Sequence, residues 1–175
     1  MNMMILAHQI KRIWIILYFT KEIIHTVKLE LSKDPSFIVI GKLSDGSENL
    51  GVTENNNIQQ YNDFLRECNG ARCGSIDFWS VELLLKNQYR VLDIPGGENE
   101  WLCIGQILYE PLVLNKNDLK VYRFYQGGED EIQGDCFGDF DYFMLNYVFG
   151  VNYLDIIPDA EEDEWFQLLK RLNLV

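Results

Sequence analysis

The side chains that could do chemistry are few, and their spacing is poor for it. The only histidines, His8 and His25, lie in an apolar N-terminal stretch. The remaining 150 residues therefore hold no imidazole to act as general base or metal ligand. Cys68-x4-Cys73 is looser than a usual zinc pair and has no histidine near it. There is no nucleophile elbow, no phosphate-binding lysine loop and no H-E-x-x-H pattern. Gly96-Gly97 and Gly127-Gly128 stand beside acids, which repel phosphate, so both read as turns. That leaves carboxylates. Asp139 and Asp141 are two apart and would point in nearly opposite directions on a helix. Asp159 and Asp163 would share one helical face, without an identifiable second acid on a strand. A two-carboxylate hydrolase is the one enzymatic reading available. A capped helix start with a solvated acidic face accounts for the same residues more simply. The run Gly128-Glu129-Asp130-Glu131, followed by Asp135, lacks the regular alternation of a calcium loop. It reads as a solvated acidic loop or an anionic docking surface. No enzyme activity, cofactor or metal is expected.

Composition points the same way. The 175 residues suit one domain, with 47% apolar and 24% charged side chains. Four Trp, nine Tyr and ten Phe supply the bulk for a compact core. The net charge of −12 repels nucleic-acid phosphates and anionic membranes and attracts basic proteins. Direct nucleic-acid binding is not expected. Cys68, Cys73, Cys103 and Cys136 do not form a secreted disulfide framework and read as reduced, mostly buried thiols of a cytoplasmic protein. Lys11-Arg12 precede the apolar run Ile13 to Phe19, but Thr20-Lys21-Glu22 follow without a small-residue cleavage site. The run is too short to span a bilayer and reads as a core-packing segment, with a membrane-skimming amphipathic segment as the alternative. The opening residues also fit an upstream start-site extension.

The elements that must position these residues can be read in outline. Residues 5–31 read as largely helical. Phe37-Ile38-Val39-Ile40 reads as a strand ended by Gly41, followed by the turn Ser44-Asp45-Gly46-Ser47. Asn55 to Asn57 can cap a helix carrying Ile58, Tyr61, Leu65 and Cys68, with Asn69-Gly70 as its stop. Ser75 to Trp79 reads as a strand, and Ser80 can cap a short helix through Leu85. Trp101 to Tyr109 is the clearest strand, with Trp101, Cys103 and Gly105 on one face and Leu102, Ile104 and Gln106 on the other. Asn115 to Asp118 turns into a strand from Leu119 to Tyr125, and the two strands read as a hairpin-like pair. Gln126 to Asp135 reads as a polar acidic loop. A helix from Asp139 carries Phe140, Phe143, Met144 and Tyr147 and stops at Gly150. Another follows Pro158, capped by Asp159, with Glu161, Glu162, Asp163 and Glu164 in its first turn and Lys170 and Arg171 near its end. The fold class expected is α+β, a mainly antiparallel sheet flanked by helices.

Several of these segments, taken in order, resemble the SUKH superfamily, the Knr/Smi-like domain. Phe64 to Gly70 followed by Gly74 to Ser80 is similar to the family's helix ending in Asn-Gly, then a strand, then a Ser-started turn. Trp101-Leu102-Cys103-Ile104-Gly105 is similar to its strand with a central Gly, and Lys120-Val121-Tyr122 to a further strand. Phe137 to Phe143, with Gly150 and Tyr153 behind, resembles its aromatic helix entry. Gln59-Gln60-Tyr61-Asn62 stands where the family usually carries a Pro. The segments span roughly residues 50–170. Residues 50–175 would then form the SUKH-like domain. Residues 1–49 would be an N-terminal segment of helix and short strand, packed with it as one compact unit.

The resemblance implies no known catalytic centre. Bacterial members act mostly as immunity proteins that bind and neutralise polymorphic toxins, often nucleases. Fungal relatives act as regulatory interaction scaffolds, which is the alternative for this chain. The charge converges on the first reading. A nuclease must offer a basic cleft, and an inhibitor covering it gains from an opposing acidic surface. Glu129, Asp130, Glu131 and Asp135 are the acidic candidates for that surface. Tyr125, Tyr142 and Phe124 are the candidate aromatic anchors. Trp101, Phe140, Phe143 and Trp165 are expected in the core.

Overall fold

The computed structural model describes residues 20–53, 58–127 and 132–175. Their centre is a seven-stranded antiparallel sheet in which every strand pairs with its neighbours in sequence. The strands are β1 (Gly41–Leu43), β2 (Ala71–Cys73), β3 (Ile76–Phe78), β4 (Trp101–Ile107), β5 (Glu110–Asn115), β6 (Lys120–Gln126) and β7 (Ile132–Asp139). The sheet stays open, with β1 and β7 as its edges. Helices flank it, so the class is α+β as expected.

Local turn chemistry sets this order. Gly74, at φ 60°, makes the tight β2–β3 turn. Between β5 and β6, the Asn115 side chain accepts hydrogen bonds from the backbone N–H groups of Asn117 (2.8 Å) and Asp118 (3.0 Å). That is an Asx turn, the reason Asn and Asp collect at such corners. The β3–β4 connection carries a helix, α3 (Val81–Asn87), and a one-turn helix, α4 (Gly97–Glu100). Asn69 and Gly70 meet α3 directly. The Asn69 Oδ1 accepts from the Val81 N–H at 2.8 Å, and Gly70 sits at φ 92° against the Ser80 backbone.

The other helices lay an apolar face on one side of the sheet. In the helix over 20–31, α1, Ile23, Ile24 and Val27 are buried at three-and-four spacing. Helix α2 (Gln59–Glu67) buries Tyr61, Phe64 and Leu65. Helix α5 (Phe140–Phe143) buries Phe140 and Phe143 and runs into a π turn over Met144–Val148. A short helix, α6 (Tyr153–Ile156), follows. Helix α7 (Glu164–Arg171) buries Trp165, Phe166, Leu168 and Leu169. Trp165 is fully buried, and its indole N–H donates to the Val148 carbonyl at 2.9 Å. Each such side chain stabilises the fold by roughly 1.5–3 kcal/mol. Side chains from α1, α2, α5 and α7 join those of the sheet in one core. A second, smaller cluster lies on the opposite face of β4–β6, where Val91 and Ile94 cover Trp101, Cys103 and Val113. Trp101, Phe140, Phe143 and Trp165 are all core residues, as expected.

Five elements differ from the sequence reading. Phe37-Ile38-Val39-Ile40 is not a strand: Pro35–Val39 forms a 3-10 helix capped by Asp34, which accepts from the Ser36 N–H at 2.8 Å. A four-residue apolar run has no periodicity to distinguish the two, and the Asp-Pro start decides. The strands around Trp101 and Val121 do not pair with each other, because β5 lies between them. The expected alternation along β4 breaks at a bulge between Cys103 and Gly105, which puts Gly105 opposite Leu112. Ile132 to Asp135 belongs to β7, not to a loop. The final helix is capped by Asp163, not Asp159. Asp163 Oδ1 accepts from the Trp165 and Phe166 N–H groups, while Asp159 sits at φ 53°. The caps proposed at Asn55 to Asn57 and the N-terminal apolar run through Phe19 lie outside the described residues.

The bulge also explains the glycine of β4. A Cβ at Gly105 would lie 2.0 Å from the Asp77 carbonyl oxygen on β3, a backbone atom that cannot yield. Gly105→Ala should therefore destabilise the protein by about 1–3 kcal/mol, read as a lower denaturation midpoint at unchanged m-value.

Candidate partner-binding surface

The candidate surface is organised by a residue the sequence reading passed over as a site residue, Arg123. On β6 it stands opposite Asp135 of β7, and their side chains form an ion pair at 2.5 Å. A second guanidinium nitrogen donates to the Ile156 carbonyl at 3.2 Å. The guanidinium also lies over two aromatic rings, Tyr125 at 5.4 Å and Phe137 at 6.0 Å from the centroids. Arg123 is only 19% exposed, so it is part of the packing as much as of the surface. Asp135 is thus held on a strand with its charge compensated. It is not the free loop acid that was expected.

The strip continues from Phe137 to Tyr147 (centroids 5.0 Å apart) and from Tyr147 to Tyr142 (6.4 Å). Tyr142 is the exposed end of this chain of contacts, at 49%. Three candidates named from the sequence, Tyr125, Asp135 and Tyr142, are therefore linked through Arg123, Phe137 and Tyr147. Phe124 is not among them. It points to the opposite face and packs edge-on against Trp101 at 4.9 Å. Glu129, Asp130 and Glu131 lie outside the described residues.

The start of α5 fixes where Tyr142 stands. Asp139 Oδ1 accepts from the Tyr142 N–H at 2.8 Å. Gln60 of α2 reaches over and accepts from the Phe140 N–H at 3.1 Å. Two of the free N–H groups at the helix start are thereby satisfied, one by a residue eighty positions away. Gln60 is one of the residues standing where the resembling family usually has a proline. Beside this junction runs a cleft of about 440 Å³ lined by Gln59, Gln60, Asp118, Lys120, Asp139 and Phe140 among others.

Three of the four carboxylates considered for catalysis have structural duties or lie buried, and the fourth, Asp159, is exposed with no side-chain cap bond. Asp139 and Asp163 serve as caps. Asp141 points inward and is 7% exposed. Burial, then the charges of Asp139 and Asp63, push its carboxyl up to about 6. The Tyr122 hydroxyl donates to Asp118 at 2.7 Å, and that bond raises its pKa. Cys68 and Cys73 are buried, which pushes Cys68 up to about 12 and Cys73 well above its usual range. Thiols so placed stay protonated and unreactive. Among the described residues, no helix is long and apolar enough to cross a membrane.

Arg123 and Tyr147 went unnamed as surface residues because nothing local marks them. A signal existed only in the pairing of Arg123 with Asp135, twelve residues apart in sequence. No family model matches the chain, and no curated protein matches it in sequence.

Two predictions follow from this geometry. Asp135→Ala should leave the half-buried Arg123 guanidinium without its carboxylate and cost about 1–3 kcal/mol, with Asp135→Asn costing less, as measured by urea unfolding. For Asp141, the folded-state pKa is raised above the ordinary 3.8. As pH rises from about 4 to about 6, the unfolded chain releases this proton while the folded chain retains it. The group therefore favours folding fully at lower pH, and that advantage is lost by neutral pH. Asp141→Asn should raise stability at pH 7 by about 1–2 kcal/mol, allowing for partial solvent screening. The gain should vanish near pH 4 in paired melts.

Proposed function

We propose that this protein binds and neutralises a cognate polymorphic toxin, in the manner of the SUKH immunity proteins it resembles. The toxin would be basic, with a nuclease as the class that best suits the charge. The observation carrying the proposal is the linked strip from Tyr125 through Arg123, Phe137 and Tyr147 to exposed Tyr142. Aromatic and arginine side chains on rigid elements are what binding hot spots are made of.

The charge supports the same reading. Between Pro95 and Glu164 the only bases are Lys116, Lys120 and Arg123, and Arg123 is paired. The field around this half of the molecule favours encounter with a cationic protein and orients it. The acids contribute association rate, while the rings contribute lifetime. The setting consistent with this is the cytoplasm of the producing cell, where a toxin must be met before it acts.

The direct test is co-expression with each toxin encoded beside its gene. Protection of the cells, with a complex of nanomolar-class affinity that weakens with salt, is the expected result. Tyr142→Ala should weaken that complex at least tenfold while leaving the unfolding midpoint unchanged, since Tyr142 is half exposed. Failure to protect against every neighbouring toxin would end the proposal.

A further inference from the structure

The two faces of the sheet are covered unequally. On one face lies the main core. On the other, the segment 88–100 covers β4–β6 through Val91 and Ile94. It leaves β1–β3 bare on that side. There, register places four polar residues in a row across four strands: Lys42, Arg72, Asp77 and Gln106. Their strand neighbours Ala71, Cys73, Ile76 and Phe78 are buried in the main core. The row therefore faces away from it. It forms the floor of a groove of about 520 Å³. The walls carry three large apolar side chains, Ile38 (57% exposed), Leu83 (41% exposed) and half-buried Trp79, beside the polar Ser44, Asn69 and Ser80.

The hydrogen bonds of the floor are lopsided. Among the described residues, Asp77 is the only acid lining the groove. One of its oxygens accepts from Arg72 Nε at 2.9 Å, the other from Gln106 Nε2 at 2.9 Å. Its acceptors are thus engaged. The donors are not. Arg72 uses only Nε, leaving its two terminal nitrogens without a partner among the described residues. The Lys42 ammonium has no ion pair there either. A protein of net charge −12 thus holds a pocket of unspent cationic donors between apolar walls.

We infer that this groove is a second binding site, for an acidic extended segment of a protein partner. A glutamate or aspartate of that segment would sit on Lys42 and the Arg72 fork, and a flanking aliphatic side chain would lie against Ile38, Trp79 and Leu83. Charge complementarity selects the carboxylate. The apolar walls select a peptide over a bare anion. The overall negative field disfavours a nucleic-acid strand, whose many phosphates would be repelled far more than a single carboxylate seated on Lys42 and Arg72. The groove is separate from the Arg123 strip, so it does not rest on the toxin-binding proposal.

The test uses the full chain and a fluorescein-labelled hexapeptide alternating glutamate and leucine, followed by anisotropy. Saturable binding with a Kd of about 10–100 μM at low salt is expected. Lys42→Ala, which breaks no ion pair among the described residues, should weaken it at an unchanged unfolding midpoint, and adding Arg72→Ala, which also takes the cation from Asp77, should bring the loss to about tenfold or more. Leu83→Ser, on the wall, should weaken it without changing its salt dependence. Three results would overturn the inference: no saturation by ~1 mM peptide, equal affinity for a glutamine–leucine peptide, or displacement by inorganic phosphate at concentrations equal to the peptide's.

Discussion

The structure turns on one aromatic contact layer, the packing of Phe140 and Phe143 against Phe78 of the sheet. Phe78 meets Phe140 at 6.0 Å and Phe143 at 6.3 Å between centroids, both edge-on. Phe64 of α2 closes on Phe78 at 5.1 Å and on Phe140 at 5.4 Å. Such geometry is directional as well as apolar. It locks α2, α5 and β3 together, although they lie far apart in sequence. With Phe140 and Phe143 turned inward, Tyr142 is turned outward. The exposure of the best anchor on the candidate surface is thus a by-product of core packing.

The acidic character of the chain is partly a structural device. Asp34, Asp139 and Asp163 each accept backbone N–H groups at a helix start. Asp118 anchors Tyr122, Asp77 joins Arg72 to Gln106, and Asp135 neutralises Arg123. What remains of the charge acts at a distance, as a field that sorts partners by sign. The proposal that the protein binds a basic partner rests on this field and, independently, on the resemblance of the sequence to the SUKH superfamily.

The open antiparallel sheet gives the two proposed sites different supports. The Arg123 strip stands at the β6–β7 end and is continuous with the main core through Phe137. The cationic groove lies at the β1–β3 end on the reverse side. One lies on the helix-covered side and one on the bare side, so occupation of one need not disturb the packing beneath the other.

From the chain alone, the fold class, the buried aromatics, most of the helices and the turn residues could be read, because three-and-four spacing, alternation and Asn/Gly chemistry are local signals. The candidates Tyr125, Asp135 and Tyr142 were named by residue type alone, and only the structure links them through Arg123, Phe137 and Tyr147. The strand β5 was hidden by Pro111 and by its closeness to β4. The bulge at Gly105 was hidden because a one-residue slip leaves no local mark. The Phe37 run was too short to reveal its period. Tertiary structure alone decided that Asp135 pairs with Arg123, that Gln60 caps a helix eighty residues on, and that Lys42 and Arg72 meet across strands. Each of these depends on register and on helix docking, which arise from the burial of many side chains at once and are written in no single stretch of sequence.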